Sequence, residues 1–433
     1  MAKYPIISEK SGKAIAAELA RQTALMAVMA DTTAKAAMLE DWGQVASEIS
    51  EGLGHYVLPV GTQVVTPYVD SRPDVSTEYQ VAWNVAHHGQ GALADGESGN
   101  VVFLHMDKCL PFDTQFSPYQ AFLCAVTPIP AGTYHVTMGF SWGSNVVSGK
   151  NYQFTLAQDL PIGGQLSGFE RSPDVAPSSW QVKAWASAEA TAPTETVAVT
   201  EGAGGTSLGT FTAAGVSVPA NGTPVVTTVG ALQFYGLNSL HRVSYGNNRW
   251  LHSPLRQFLN AEGTGWWHPA TVFDRPPSYV GYDGFLSGLP ADLVAAMQPI
   301  AQVTALNYVT DGGTDAEPAY DTTYDKVFLP SGKQHHIQAT AYFGGAAGLE
   351  GEAWEYWERV LASTVPAVWW QTYPEYRQYD LASPAAARSC WVRSAYRGYG
   401  YSVAYVNASG YCASNLAYGG LRSAAACAIG LIG

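Results

Sequence analysis

The side chains of this chain that could do chemistry are chiefly two histidine pairs and two groups of carboxylates. His87-His88 and His335-His336 are adjacent in sequence. Because neighbouring side chains of a strand point to opposite faces, neither pair can chelate one metal ion. The sequence also has no convincing HExxH, GxSxG, Walker A or GxGxxG motif. We therefore expect no catalytic residues.

The first group of carboxylates is a loop that contains four aspartates. Hard oxygen ligands gathered in a loop suit Ca²⁺, so a structural calcium site is one interpretation. A solvated acidic turn is the other, and we favour it. The candidate calcium ligands are Asp311, Asp315, Asp321 and Asp325.

The second group of carboxylates lies at a predicted helix near Glu352–Leu361, just after Glu350. The spacing of Glu352, Glu355 and Glu358 places them on one helix face. Glycoside hydrolysis needs two carboxylates roughly 5–10 Å apart across a cleft. Nothing marks these glutamates as more than a solvated face, so a cell-wall hydrolase using Glu352 is a minor alternative.

The composition argues against several classes of partner. Charged residues make up only 13% and the net charge is −13, so no basic patch is available to replace counterions on nucleic acid. The apolar stretches are interrupted too often to span a bilayer, and the first residues lack the apolar region of a signal peptide. Five cysteines without CxxC spacing predict small buried thiols rather than a disulfide scaffold or a zinc site.

Three segments that differ in composition and hydrophobic pattern predict a multidomain α+β protein. Residues 1–54 read as a helical segment, because apolar and Ala positions recur at three and four. It serves oligomerisation or attachment, or is simply a packed helical pair. Residues 55–222 alternate Val-, Thr-, Tyr- and Phe-rich runs with turn residues, which is typical of a β-sandwich or jelly roll. Residues 223–433 mix Trp-rich segments with one clear helix, which predicts an α+β domain.

The motifs that follow residue 244 favour a structural role. Ser253 and Pro254 predict the cap and the first position of a short helix. Trp250, Leu255 and Phe258 would anchor that helix inward. We interpret the arginines and aspartates of this region as buried pairs.

The end of the chain has the composition of a binding surface. After Asp380 there is no Asp, Glu or Lys, and six tyrosines occur among Gly, Ser, Asn and Ala. Antibody paratopes use this mixture because Tyr gives contact area at low entropic cost and the small polar residues adapt their hydrogen bonds. A tyrosine-rich sheet packed on the domain is the alternative. Against it, the stretches 399–402 and 414–420 look like loops, where tyrosines tend to face solvent.

Several motifs together resemble a known group of proteins. They are Leu255-Arg-Gln-Phe-Leu-Asn260, Phe273-Asp-Arg-Pro-Pro277, Lys326-Val-Phe-Leu, and Cys390-Trp-Val-Arg-Ser394 closing with Gly420-Leu-Arg422. They resemble the C-type-lectin domain related to formylglycine-generating enzymes, over roughly residues 225–433. The end of the chain resembles the variable proteins of diversity-generating retroelements, in which a reverse transcriptase copies a template with errors at adenines and rewrites the 3′ end of the gene.

The genetic code offers an independent check of this resemblance. An AAC codon randomised at both adenines becomes NNC, which cannot encode Trp, Lys, Glu, Gln or Met. Residues 392–433 contain none of these five.

The resemblance implies a variable region at about 388–427 on a fixed scaffold. The scaffold residues would be Trp391, Arg393, Val403, Ala404, Val406, Ala424 and Cys427. The variable, ligand-binding positions would be Tyr396, Tyr399, Gly400, Tyr401, Ser402, Tyr411, Ser414, Asn415, Leu416, Tyr418 and Leu421.

The resemblance also implies a role and partners. It predicts a phage virion protein, on a tail fibre or the capsid, made in the bacterial cytoplasm. The ligand would be a host-surface protein or glycan, and the N-terminal part would attach to other virion proteins, with a homotrimer expected. A fixed carbohydrate-binding adhesin of the same fold, with structural Ca²⁺, is the alternative. The cysteines do not match the copper-binding catalytic pair of formylglycine-generating enzymes, so that activity, which would depend on Cys390, is the least favoured.

Overall fold

A computed structural model describes most of the chain. The described residues are 13–17, 19–20, 22–23, 41–121, 123–125, 127–142, 145–162, 164–166, 194–201, 207–214, 225–229, 232–236, 242, 245–271, 273–314, 316–337 and 350–432. Over these residues the fold mixes α and β, with mostly sheet, few helices and no closed barrel. Within them, no helix is both long and apolar enough to cross a membrane.

The helices of the described residues are short. The α-helices are α1 (Trp42–Glu48), α2 (Gly54–Val57), α3 (Pro254–Leu259), α4 (Ala291–Ala296) and α5 (Glu355–Val360). A π-helical turn spans Ile49–Leu53, and 3₁₀ turns span Trp250–His252, Phe285–Gly288 and Pro374–Tyr376. Helix α3 begins as predicted, since the Ser253 hydroxyl accepts a hydrogen bond from the Leu255 amide and Pro254 occupies the first turn.

The predicted N-terminal helical segment lies largely outside the described residues. Residues 13–17, 19–20 and 22–23 are helical, and helix α1 begins after Asp41, whose carboxylate accepts a hydrogen bond from the Gln44 amide. Trp42 and Val45 are buried in the main core. This end of the segment therefore packs on its own chain, and a role in oligomerisation stays a prediction.

The strands form several small sheets around one larger sheet. The strands are β1 (Gln63–Val69), β2 (Glu78–Ala92), β3 (Ser98–Met106), β4 (Lys108–Cys109), β5 (Thr114–Gln115), β6 (Leu123–Ala125), β7 (Gly132–Trp142), β8 (Asn145–Leu156), β9 (Gln165–Leu166), β10 (Thr194–Glu201), β11 (Ser207–Ala214), β12 (Val225–Val229), β13 (Leu232–Gly236), β14 (Ile300–Ala305), β15 (Tyr320–Asp325), β16 (Val327–Phe328), β17 (Gln378–Asp380), β18 (Ala387–Arg388), β19 (Cys390–Ala395), β20 (Ser402–Val406), β21 (Cys412–Leu416), β22 (Gly420–Leu421) and β23 (Ala426–Ile429). The sheet orders are β1-β2-β3-β23-β16, β11-β10-β7-β8, β12-β13-β6-β9, β14-β15, β18-β17-β4, β19-β20-β21 and β22-β5.

The sheets do not divide at the predicted boundary between residues 222 and 223. Strand β3 pairs with β23, β4 with β17, β5 with β22, and β6 with β13. The core side chains of these two parts also belong to one hydrophobic cluster. Residues 63–125 therefore fold together with the C-terminal part. The sheet of β7, β8, β10 and β11 is built from the middle segment alone.

Strand β23 explains the run of small apolar residues near the end of the sequence. It lies between β3 and β16 in the five-stranded sheet, and all residues from Ala424 to Ile429 are buried. A strand buried on both faces carries a continuous apolar run instead of an alternating pattern. Strand β1, at the edge of the same sheet, alternates between exposed and buried residues.

Three tryptophans of the core are buried with their indole nitrogens hydrogen-bonded. Trp83, Trp250 and Trp391 are at most 1% exposed. Each indole N–H donates a hydrogen bond, to the Thr66 hydroxyl, the Asp325 carboxylate and the Thr114 carbonyl respectively. Burying such a large aromatic side chain stabilises the fold by roughly 2–3 kcal/mol, because apolar surface is removed from water. The hydrogen bond avoids the cost of an unpaired indole N–H.

The cysteines confirm the prediction of small buried thiols. Cys109, Cys390, Cys412 and Cys427 are free and buried. Burial raises the pKa of the Cys412 thiol to about 12, and it raises the pKa of Cys390 and of Cys427 as well. Such thiols stay protonated and unreactive. The side chain of Cys124 lies outside the described residues.

Two histidines are buried against each other beneath the five-stranded sheet. The rings of His105 and His335 meet edge to face, with centroids 5.4 Å apart, and both are almost fully buried. Burial lowers the pKa of His105 to about 4. Burial, together with the neighbouring His105, also lowers the pKa of His335. Both rings are therefore neutral in the folded protein at pH 7.

We predict that acid destabilises the protein through this pair. The unfolded chain binds protons near pH 6.5 and the folded chain does not, so stability is full above that pH and falls as the pH drops towards 4. His105 alone accounts for about 3 kcal/mol across this range. His105→Gln should flatten the dependence of urea-unfolding free energy on pH, whereas His268→Asn, at an exposed histidine, should leave it unchanged. Parallel pH profiles for the wild type and His105→Gln would contradict the assignment.

Candidate ligand-binding surface

The tyrosine-rich end of the chain forms a small antiparallel sheet, β19-β20-β21. Strand β19 is buried along its whole length, and a loop of residues 396–401 leads from it to β20. At the turn between β20 and β21, the Asn407 carboxamide oxygen accepts hydrogen bonds from the amides of Ser409 and Tyr411. Gly410 has a φ of +86°, and a Cβ there would meet the Tyr373 carbonyl oxygen, so this turn requires glycine.

Asn248 fixes the backbone of the loop 396–401. Its side-chain nitrogen donates to three main-chain carbonyls, those of Tyr396, Tyr399 and Ser402, at 3.2, 2.6 and 2.9 Å. Asn248 is buried and lies far upstream in the sequence. Asn248 therefore holds the loop through main-chain atoms, which every residue type possesses.

Two arginines hold the same loop from below. The Arg242 Nε–H donates to the Gly400 carbonyl at 3.0 Å, and its guanidinium pairs with Asp311. Arg397, which is 1% exposed, donates to the carbonyls of Leu306 and Thr314. Both guanidiniums are buried under the loop, where they donate to main-chain carbonyl oxygens.

Six tyrosine rings form a continuous row on and beside this loop. Tyr418 is stacked against both Tyr119 and Tyr245, with centroids 4.6 and 6.1 Å away and planes inclined by 28° and 16°. Tyr245 contacts Tyr401 at 5.0 Å. The row continues from Tyr401 to Tyr399 at 5.4 Å and from Tyr399 to Tyr396 at 4.7 Å. We call this row the tyrosine surface.

Within the tyrosine surface, the Tyr245 hydroxyl is neutral. Burial, and secondarily the neighbouring Tyr418, raise the pKa of Tyr245 above its ordinary value. A phenol with a raised pKa keeps its proton at neutral pH and can both donate and accept a hydrogen bond. Apart from the buried Tyr396, the rings are half-buried. The surface therefore combines apolar area with neutral hydrogen-bonding groups.

Most of the predicted variable positions are partly exposed, on the loop 396–401 and in or beside the strands that follow it. Ser414, Asn415 and Leu416 lie in strand β21 and not in a loop as expected. Tyr411 lies at the opposite end of that strand, against Trp370, and Leu421 lies in β22. The partly exposed predicted positions are Tyr399, Tyr401, Tyr411, Ser414, Asn415, Leu416, Tyr418 and Leu421.

The other three predicted positions do not have the expected exposure. Tyr396 and Ser402 are each only 6% exposed. Gly400 is buried, and a Cβ at this position would lie 2.8 Å from the Thr310 hydroxyl oxygen. A larger residue at 400 would push against the network below the loop. Gly400 is thus buried, as are the predicted scaffold residues Trp391, Arg393, Val403, Ala404, Val406, Ala424 and Cys427.

Sequence reasoning missed two members of the tyrosine surface. Tyr119 and Tyr245 come from segments outside the predicted variable region, and the Tyr245 segment was interpreted as structural. Gly246, which follows Tyr245, has a φ of +83°, and a Cβ there would overlap the Ser117 carbonyl. This close approach brings the two segments together. The only available signal was the Tyr-Gly sequence at 245–246.

The acidic loop pairs with arginines. Among the described residues, Asp311 faces Arg242, Asp321 faces Arg249 at 2.6 Å, and Asp325 faces Arg256 at 2.7 Å. Asp315 lies outside the described residues. No group of three or more potential metal ligands occurs in the part of the chain that the structure describes. The carboxylates proposed for Ca²⁺ thus have other partners, as the prediction of buried Arg–Asp pairs requires.

The glutamates near helix α5 lie beside a separate cleft. Glu352 and Glu355 approach the two ring nitrogens of His87, at 3.2 and 3.7 Å, and Glu358 approaches His336 at 3.7 Å. Glu350 is buried, and its carboxylate accepts hydrogen bonds from the Ser394 hydroxyl and the Ala305 amide. Burial raises the pKa of Glu350. The cleft has a volume of about 500 Å³, and its lining includes Glu350 and Glu352 but not Glu355 or Glu358.

Comparison with known proteins yields one family match. Residues 227–427 match the model of a domain of unknown function, DUF6273. This region begins at β12, contains most of the tyrosine surface and ends within β23. No curated protein and no solved structure matches the chain.

We predict that the loop depends on Asn248 far more than on its own tyrosines. Asn248→Ala removes the donor to three carbonyls and should lower the free energy of unfolding by about 2–3 kcal/mol. Tyr401→Ser should cost about 1 kcal/mol or less, because its ring is partly exposed and aromatic ring contacts of this kind contribute about that much. Urea unfolding of both variants measures this difference. A larger loss for Tyr401→Ser than for Asn248→Ala would show that the side chains hold the loop.

We predict that a chelator leaves the stability unchanged. Three of the four aspartates proposed as calcium ligands are neutralised by arginines, so excess EDTA should not shift the melting temperature. Asp325→Asn, in contrast, should destabilise the protein by about 3 kcal/mol, because it removes one partner of a buried pair. Glu262→Gln, at an exposed position, is the charge-matched control. A melting temperature that falls with EDTA and recovers with Ca²⁺ would restore the calcium site.

Proposed function

We propose that this chain is a phage virion protein that binds a host-surface ligand through its tyrosine surface, and that a retroelement diversifies this surface. The proposal includes a C-type-lectin-like arrangement of the C-terminal part, assembly as a homotrimer and attachment to other virion proteins through the N-terminal part. A non-diversified adhesin of the same fold is the alternative.

The observation that carries the proposal is how the loop 396–401 is held. Its carbonyls accept hydrogen bonds from Asn248 and Arg242, which lie outside the predicted variable region. The side chains of Tyr399 and Tyr401 are partly exposed and contact the rings of neighbouring tyrosines. Exchange of these side chains therefore leaves the backbone support in place.

Support of the backbone by residues outside the variable positions suits a surface whose ligand must change while the fold stays the same. Binding sites work best when a rigid frame positions the contacting groups, and surface positions tolerate substitution better than the core. Tyrosine, serine, asparagine and glycine give large contacts and adaptable hydrogen bonds at low entropic cost. A single face of this kind binds weakly, so three copies on one particle would raise the effective concentration.

The first test is to sequence the DNA around this gene and its 3′ end in several related isolates. The proposal predicts an adjacent reverse-transcriptase gene and a near-copy of the segment for residues 388–427 that differs only at adenines. Codons for Tyr399, Tyr401, Ser414, Asn415 and Tyr418 should vary among isolates.

The codons for Asn248 and Arg242 serve as the internal control and should not vary. A 3′ end that is invariant among isolates, with no template copy nearby, would overturn diversification. Glycan arrays would then test the fixed adhesin.

A further inference from the structure

The cleft beside helix α5 is separate from the tyrosine surface and shares no residue with it. Its volume of about 500 Å³ lies within the range of small-molecule sites, roughly 300–1,000 Å³. The walls come from the hairpin of β2 and β3, from β14, from the helical residues 49–55 and from residues 350–354. The cleft is therefore large enough to enclose a small organic molecule.

Two glutamates line this cleft at different depths. Glu350 is 1% exposed, whereas the side chain of Glu352 is 83% exposed. Gly351, which lies between them, has a φ of +100°, a backbone conformation that favours glycine. A Cβ at Gly351 would also lie 3.2 Å from the Gln334 side chain. This glycine lets one carboxylate enter the core while the next one stays accessible from solvent.

The charge that a ligand can reach in the cleft is negative. Arg393 is the only arginine or lysine among the described residues that line it, and its fully buried guanidinium donates four hydrogen bonds to protein oxygens. Burial raises the pKa of Glu350, and the neighbouring Arg393 opposes this shift, so these two buried charges offset each other. The Glu352 carboxylate remains accessible, and Glu355 lies beside the cleft, 3.7 Å from the His87 ring.

The other polar groups of the lining are mostly neutral. Gln302 and Gln334 are 2% and 4% exposed, and the Gln334 nitrogen donates to the Gln302 oxygen over a long 3.5 Å. Burial lowers the pKa of His88, so this ring carries no charge at pH 7. Hydrogen bonds that involve a charged group are roughly twice as strong as neutral ones. The class of ligand is therefore decided by the accessible carboxylate.

We propose that the cleft binds a small organic amine, with the ammonium group held by Glu352 and the carbon chain against the apolar lining of Val101, Phe103 and Ile300. An ammonium has three N–H donors and no acceptor, whereas a carboxylate only accepts, so the two groups complement each other. A carboxylate ligand would be repelled by Glu352, and a neutral alcohol would gain only the weaker hydrogen bonds. The inference goes beyond the proposed function and does not depend on it.

The test is isothermal titration calorimetry of the full chain at low ionic strength with three probes that share a four-carbon chain. They are putrescine, butanediol and succinate. Putrescine should bind with one-to-one stoichiometry, and the other two should bind at least about tenfold more weakly. Glu352→Gln should weaken putrescine binding by about tenfold or more. Added salt should weaken binding to the wild type, because the charge of an exposed carboxylate is screened.

The matched control is Glu358→Gln, which removes the same charge from helix α5 at a residue that contacts His336 and does not line the cleft. It should leave the affinity for putrescine unchanged. Glu352→Gln should keep the melting temperature of the wild type, because the side chain is exposed and glutamine retains an oxygen that can accept from His87. The loss of binding then reports the site and not unfolding.

Three results would overturn the proposal. An equal loss of affinity in Glu352→Gln and Glu358→Gln would show general attraction to an acidic surface in place of a site. Butanediol that binds as tightly as putrescine would show that the cleft does not select an ammonium group. Putrescine that gives no binding heat up to about 10 mM, a concentration that reveals even weak ligands, would show that the cleft does not bind this class.

Discussion

The fold depends on strand β23, which inserts into the interior of the five-stranded sheet. It pairs with β3 on one side and with β16 on the other, so all four of its residues are buried. Strand β19 is likewise buried along its length. Buried strands therefore lie near both ends of the segment proposed to vary, β19 near its start and β23 at its close. These strands fix the segment in space before any ligand is present.

A second constraint is the pairing of arginines with aspartates beneath the tyrosine surface. Arg242, Arg249 and Arg256 each pair with an aspartate, and all three aspartates come from residues 311–325. A buried charge without a partner is costly, so these pairs must form together with the fold. Arg393, which is fully buried, donates to the carbonyls of Leu329 and Val303 and to the side chains of Thr304 and Gln334. The result is a surface with little charge that rests on a highly charged base.

Part of this arrangement follows from the sequence. The cap at Ser253, the buried arginine–aspartate pairs and the buried thiols were predictable, because each depends on local spacing or on a general rule about burial. The pairing of β3 with β23 and of β5 with β22 was not. It joins residues more than three hundred positions apart, and short strands of similar composition do not specify their partners.

The tyrosine surface also contains some residues that the sequence could indicate and others that it could not. Its tyrosines in the tail could be found from composition, since their neighbours are Gly, Ser and Asn. Tyr119 and Tyr245 could not, because no pattern connects them with the tail until the fold brings them beside Tyr418. The exclusion of Gly400 from the exposed set required the position of Thr310. Exposure at a single position depends on long-range packing, which periodicity does not report.

The position of β23 after the segment proposed to vary also has a consequence for biosynthesis. The five-stranded sheet cannot complete its pairing until β23 has been synthesised, so this sheet assembles late. A frameshift or premature stop within the segment proposed to vary removes β23, an interior strand of that sheet. Such products would expose apolar strands and be cleared by proteases. Under the proposed diversification, the fold would act as a filter on error-prone rewriting of the gene, because only copies that keep the reading frame through β23 would give a stable protein.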